Sequence, residues 1–341
     1  MTHLVPFGRT LSRAQRCHVV YAAAAIVLGA AGGATAADAA STPSTASMPH
    51  LTLSYSEKTA DMMPLWIASD AGYFKQHGLD VTERYLPAQE GVPALLTGQV
   101  QAAGIGGPDA ISAVAQGAKL KFVMTLSPVY TFQFWVRPQF ASANALKGQR
   151  VGVPSTTGSL FAATVLTLGQ LGLSTRDVAI TPLGSVPNVN NALLAGSIAA
   201  AASHPPATYQ FQRNGFVDLV DLTKKRLPSV SAGVLFTTAY IQSHPQVVQG
   251  VVAAVMQGFQ REKTDRAYVE SEMRDHLGVK DKAVLDFTYD FYVNQVIPTA
   301  PLPQIAQVEA AQKAMGATNP KVRAVDISTM IDQSFVRKAE K

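Results

Sequence analysis

ALLTGQVQAAGIGGPDA, residues 94–110, is answered 98 residues later by ALLAGSIAAAASHPPAT, residues 192–208. Each copy reads as the end of a helix, a glycine turn (Gly98, Gly196), a short apolar strand and a loop whose proline (Pro108, Pro206) can open the next helix. A strand and loop precede each copy, at Val81 to Glu90 and at Ala179 to Asn188. Further back, Gly78-Leu79 and Gly172-Leu173 each close an earlier helix. Self-similarity of this kind describes one β-α-β-α-β unit present twice. From Leu51 onward, β-rich runs alternate with helical ones, which argues for mostly parallel sheets covered by crossover helices, an α/β fold. Two like units facing one another leave a cleft between them.

The chain of 341 residues is 47% hydrophobic and 15% charged, enough for two packed cores of ordinary size. Lys121 to Thr125, Phe132 to Arg137 and Gly233 to Thr238 read as strands that carry the chain from one lobe to the other and back. Tyr240 to Lys341 is then expected as helices packed on the first lobe. Two crossings of this kind act as a hinge.

The N-terminus has the three parts of a secretory signal. Arg9, Arg13 and Arg16 precede an apolar run from Val19 to Gly33, and small residues follow at Ala34-Thr35-Ala36 and Ala37-Asp38-Ala39. A membrane anchor needs ~20 apolar residues, and this run is shorter. Residues 1–39 are therefore expected to be cleaved, with 40–48 as a flexible tail and the periplasm as destination. The only cysteine, Cys17, leaves with the signal, which excludes a disulfide, a thiol nucleophile or a thiolate metal site in the remainder. Three of 28 basic residues and one of 23 acidic residues leave too, so the excess falls from +5 to +3. No basic stripe with interleaved aromatics remains to suggest nucleic acid.

In open α/β sheets, ligands lie beyond the carboxyl ends of the strands, where helix N-termini present free N–H groups. Four loops qualify: Ser54 to Met63, Gly106 to Asp109, Pro154 to Ser159, and Gly184 to Asn188. The third is the richest. Its Thr156, Thr157, Gly158 and Ser159 either hold ligand oxygen or cap the following helix. Ser185 and Asn188 repeat that pattern. Gly107 and Pro108 would let a ligand approach the backbone, and Asp109 can meet an amine or hydroxyl. From the first loop Ser56, Met62 and Met63 are expected to line the cleft, the methionines sharing a helical face with Trp66; Glu57 and Lys58 read as solvated. Ser127 and Tyr130 are expected at the cleft floor near the first crossing. His204, equivalent to Gly106 in the repeat, is the one histidine expected to face the cleft. The spacing of His50, His77, His244 and His276 gives no metal-ligand pattern, and no cofactor motif is present.

The run SYSEKTADMMPLWIASDAGYFKQHGLDV, from Ser54, resembles the opening of periplasmic solute-binding proteins of the nitrate, sulfonate and taurine class, whose superfamily includes NMT1/THI5-like proteins. LPAQEGVPALLTGQVQAAGIG, LKGQRVGVPSTTGS and GSVPNVNNALLAGSIAAAASHPPA resemble the later landmarks in the same order. Where many relatives carry an acidic residue in the repeated G-x-V-D-A pattern, this chain has Gln101 and Ala199. The cysteine-rich motif of the thiamine-precursor enzymes of the superfamily is absent. The resemblance implies a two-lobed type II binding-protein fold, with lobe I at 49–137 and 236–341 and lobe II at 138–235. It further implies an ABC importer's permease as partner. The cleft-loop hydroxyls and amides, with few Arg or Lys, fit a sulfonate, carboxylate or pyrimidine-like ligand, captured by hinge closure of a monomeric receptor. An enzyme acting on an enclosed small substrate is the alternative on the same scaffold.

Overall fold

The computed structural model describes residues 48–317 and 319–341, so the expected signal and nearly all of the tail lie outside the described residues. Among the described residues ten strands form two sheets: β1 (His50–Tyr55), β2 (Asp80–Tyr85), β3 (Ala102–Ile105), β4 (Leu120–Val129), β5 (Gln133–Val136), β6 (Arg150–Val153), β7 (Ala179–Pro182), β8 (Ala200–Ser203), β9 (Val217–Asp221) and β10 (Pro228–Thr237). The first sheet runs β2-β1-β3-β10-β4 and the second β7-β6-β8-β5-β9. Within each, the first three strands are parallel and the inserted strand is antiparallel to its neighbours. The duplication read from residues 94–110 and 192–208 is thus a duplication of topology.

Local chemistry explains the repeat. Gly98 (φ +77°) and Gly196 (φ +78°) end the helices Ala88–Leu96 and Val186–Ala195 in the left-handed region, which an L side chain enters only with strain. The strands that follow, β3 and β8, are small-residue runs buried at every position, so helices can pack close on both faces. Leu51 and Leu53 of β1 are fully buried against the helix Met63–Asp70, and the long helix Pro245–Thr264 packs over that helix in turn.

Each half of the chain donates one strand to the other sheet. β5 follows the first unit but pairs with β8 and β9, and β10 follows the second unit but pairs with β3 and β4. The chain therefore changes sheet within 130–132 and again within 222–227, not at the expected 137/138 and 235/236. The crossings run side by side: Tyr130 N donates to Leu227 O at 3.1 Å, Leu222 N to Phe132 O at 3.0 Å, and Thr223 Oγ1 to Tyr130 O at 3.0 Å.

The C-terminal helices also reach lobe II. Helix Ile305–Gly316 touches both β10 and the lobe II helix Gly158–Gln170, and Phe287 meets Tyr209 of lobe II edge to face at 5.4 Å. Among the described residues no helix is long and apolar enough to cross a membrane.

Candidate functional site

The loops that follow the parallel strands converge on a cavity of about 620 Å³ between the sheets. Lobe I contributes Ser56 to Thr59 after β1, Tyr85 and Pro87 to Gln89 after β2, and Asp109 from the helix Gly107–Val114. Lobe II contributes Pro154, Ser155 and Thr157 to Leu160 after β6, Gly184 to Pro187 after β7, and His204 with Tyr209 after β8.

Of the residues expected there, Ser56, Asp109, Thr157, Gly158, Ser159, Ser185 and His204 line the cavity. The structure separates capping from exposure in the two hydroxyl-rich loops. Ser185 accepts from Asn188 N at 3.3 Å and caps its helix, while Asn188 Nδ2 is turned back onto Leu183 O at 2.8 Å and Asn190 takes its place on the wall. Thr157 precedes the helix Gly158–Gln170 without a side-chain cap bond, so the first amides of that helix stay open toward the cleft. Thr156 belongs to this loop but is not on the wall.

Five expected lining residues sit behind the wall or under it. Gly107 and Pro108 are buried in the first turn of their helix. Met62 and Met63, 2% and 0% exposed, point into the core with Trp66, because the apolar side of this short helix faces the sheet rather than the cleft. Tyr130 is fully buried beside Phe132. A sixth, Ser127, has a structural partner: its hydroxyl donates to Asp61, a buried carboxylate that also receives Thr59 Oγ1 at 3.2 Å, Thr131 Oγ1 at 3.3 Å and Tyr292 OH at 3.2 Å. This four-hydroxyl cage ties the loop after β1, the strand β4, the first crossing and the π-helical turn Tyr292–Val296 into one floor. Sequence reasoning missed Tyr85, Asn190 and Tyr209, and took Glu57 for a solvated charge.

Glu57 is strongly perturbed. Burial, then the nearby charges of Asp61 and Asp109, push its carboxyl from 4.5 up to about 8. Burial likewise pushes Asp109 up to about 7. Asp109 reaches across to lobe II: a Cβ placed on Gly158, where φ is +84°, would lie 3.1 Å from its Oδ1. Opposite Glu57 stands His204, 3% exposed and held below its ordinary value by burial. Its Nδ1 lies 3.1 Å from Pro205 O, which assigns the proton to Nδ1 and leaves Nε2 an acceptor. Among the described residues Nε2 has no hydrogen-bond partner, and it lies 3.9 Å from Glu57 Oε2. Lys58 is the one Lys or Arg among the lining residues, and its Nζ sits 5.3 Å from the centre of the exposed Tyr85 ring. The cleft thus offers carboxyls that keep their protons near neutrality, an acceptor nitrogen, open helix amides and tyrosine faces.

Two lobes built from a repeated unit, joined by adjacent crossings and enclosing a polar cleft, define the type II periplasmic-binding-protein architecture. The sequence model of the family described as NMT1/THI5 like matches residues 59–264, and the chain belongs to that family. Riboflavin-binding protein RibY of Chloroflexus aurantiacus is 26% identical over 203 residues, a match spanning 57% of this chain and 57% of that protein. Two solved structures share the fold. The alkanesulfonate-binding protein SsuA of Xanthomonas axonopodis pv. citri, bound to MOPS, superposes with a TM-score of 0.67 at 23% identity, covering 84% of this chain and 98% of that one. The aliphatic sulphonate binding protein SsuA of Escherichia coli superposes at 0.69 with 21% identity, covering 83% and 92%.

Proposed function

We propose that the protein is the periplasmic receptor of an ABC importer and that its cleft takes a flat nitrogen heterocycle rather than a sulfonate. One observation carries the choice of ligand: among the described residues, Glu57 and Asp109 face the cavity with no hydrogen bond from another residue, while Lys58 is the only Lys or Arg on the wall. A sulfonate, which only accepts hydrogen bonds, has no proton to give His204 Nε2 and would find a single cation, Lys58, to balance its charge. A heterocycle would take a proton or donate one at Glu57, Asp109 and His204 Nε2, and lay its face on Tyr85 or Tyr209. A cavity of this volume lies in the ordinary range for a drug-sized ligand, roughly 300–1,000 Å³, and a relative named for riboflavin binding fits the same class. Capture would close the lobes because Glu57 and Asp109 belong to one and His204 and the Gly158 amides to the other. Only contacts made in the closed form can shift the equilibrium.

Thermal unfolding against a panel of pyrimidines, flavins, alkanesulfonates, taurine, nitrate and aromatic carboxylates tests this. A heterocycle at 100-fold excess over its Kd stabilises by ~2.7 kcal/mol and is recovered unchanged. Stabilisation by sulfonates alone would overturn the ligand class, and recovery of a converted ligand would replace the receptor with an enzyme.

A further inference from the structure

Helix Arg266–Leu277 carries Glu272 and His276 four residues apart, which places both on one face. Asp70, the last residue of helix Met63–Asp70, arrives from the other side of the sequence to meet them. His276 Nε2 lies 2.7 Å from Asp70 Oδ2 and 3.4 Å from Glu272 Oε2, and one donor atom from each residue falls within 4.8 Å of the other two. Trp66, one turn before Asp70, stacks flat on the imidazole with 4.6 Å between ring centres and 3° between planes, which fixes the plane in which Nε2 points.

The carboxyls outnumber their cations. Glu272 is 5% exposed; among the described residues its Oε2 has only the 3.4 Å contact with His276, and the Tyr268 hydroxyl bonds the same group. Glu83 of β2 interacts electrostatically with all three residues, and its buried Oε1 also lacks a hydrogen-bond partner. Among the described residues no Lys or Arg forms an ion pair with Asp70, Glu83 or Glu272. One imidazole therefore faces three carboxyls in a half-buried corner, a charge balance that a divalent cation completes better than a proton.

We propose that Asp70, Glu272 and His276 form a binding site for a divalent transition-metal ion of the zinc type, with Glu83 as the neighbouring oxygen donor. The donor set decides the class: an imidazole with carboxylates suits Zn²⁺, Co²⁺ or Ni²⁺, whereas Ca²⁺ and Mg²⁺ take oxygen alone. Bonds of about 2.0–2.2 Å put tetrahedral ligands roughly 3.4 Å apart. The observed spacings of 2.7 and 3.4 Å lie within about 0.7 Å of that edge, and the Asp70–Glu272 edge is no longer than 4.8 Å. The ion would clamp the end of the first long helix of lobe I to the C-terminal helices, away from the ligand wall. The site is independent of the identity of the transported ligand.

Metal-stripped protein titrated with ZnCl2 in a calorimeter, alongside Asp70→Asn, His276→Gln and His50→Gln, tests the proposal. Asp70 is exposed and caps no helix, so D70N keeps its fold, which its unfolding temperature without metal verifies. His50 pairs with Asp80 at an exposed position and controls for adventitious surface binding. The expected result is one Zn²⁺ per chain in the wild type and in H50Q, at least tenfold weaker in D70N and H276Q. Co²⁺ or Cu²⁺ should also quench the emission of Trp66 in the wild type and not in H276Q. Zinc affinity unchanged in D70N and H276Q, loss of binding in H50Q alone, or no binding below ~1 mM in the wild type would each overturn the assignment.

Discussion

Glu57→Gln should make the empty protein more stable at high pH while weakening its grip on ligand. In the folded state the carboxyl is pushed from 4.5 up to about 8, chiefly by burial. The folded protein thus holds this proton more tightly than the unfolded chain does. The resulting penalty is absent below pH 4.5, grows as pH rises from there to about 8, and is constant above it. At about 1.36 kcal/mol per tenfold change in proton affinity the ceiling is ~5 kcal/mol. The side chain remains 28% exposed, and screening by solvent brings the expected effect to about 1–2 kcal/mol. Glutamine carries no charge to penalise. Urea unfolding should therefore give equal stabilities for E57Q and wild type near pH 4 and an advantage of about 1–2 kcal/mol to the variant at pH 9. At pH 7 the variant should bind its heterocycle about tenfold more weakly, the cost of one hydrogen bond of about 1.4 kcal/mol. A stability difference that does not change with pH, or a variant less stable than wild type at pH 9, would refute the reasoning.

Two tighter contacts yield further tests. A Cβ at Gly258 would lie 2.3 Å from Pro64 O, where two packed helices meet backbone to backbone. Gly258→Ala should therefore cost about 1–3 kcal/mol in chemical denaturation with ligand affinity per folded molecule unchanged. A Cβ at Gly106 would lie 2.1 Å from Ser159 Oγ in the opposite lobe. Gly106→Ala should hold the lobes apart and weaken ligand binding about tenfold in calorimetry, and adding Ser159→Ala should recover most of the loss. An additive double variant would show that the two positions do not meet.

The repeat was legible because its punctuation is chemical: a left-handed glycine at 98 and again at 196, each followed by a strand too small and apolar to be anything but core. The exchange of strands was not. Gln133–Val136 is four buried residues, and nothing in QFWV says which sheet will take it. β9 went unread because its VDLVD alternates only weakly and is half-buried at a sheet edge. The loops of the site followed from the rule about strand ends, but which side chains turn inward did not. Met62-Met63 has the same spacing whether it faces ligand or core. Glu57 looks like a solvated charge until the opposing lobe covers it. The Glu272–His276 spacing was present in the sequence and overlooked, and Asp70 joins it across 206 residues, a meeting no local pattern encodes.

The strand exchange dictates an order of assembly as the chain leaves the ribosome. The second sheet is complete once Asp221 has emerged, with β5 through β9 contiguous in the sequence. The first sheet is not: among the described strands β4 pairs with β10 alone, whose Pro228 pairs with Val129 across nearly a hundred residues. Until β10 arrives, β3 presents an open edge and β4 stands unpaired, both almost wholly buried in the finished fold. Such edges recruit other chains. The lobe that begins the protein is thus the last to be finished, and it needs shielding for as long as the other lobe takes to be made.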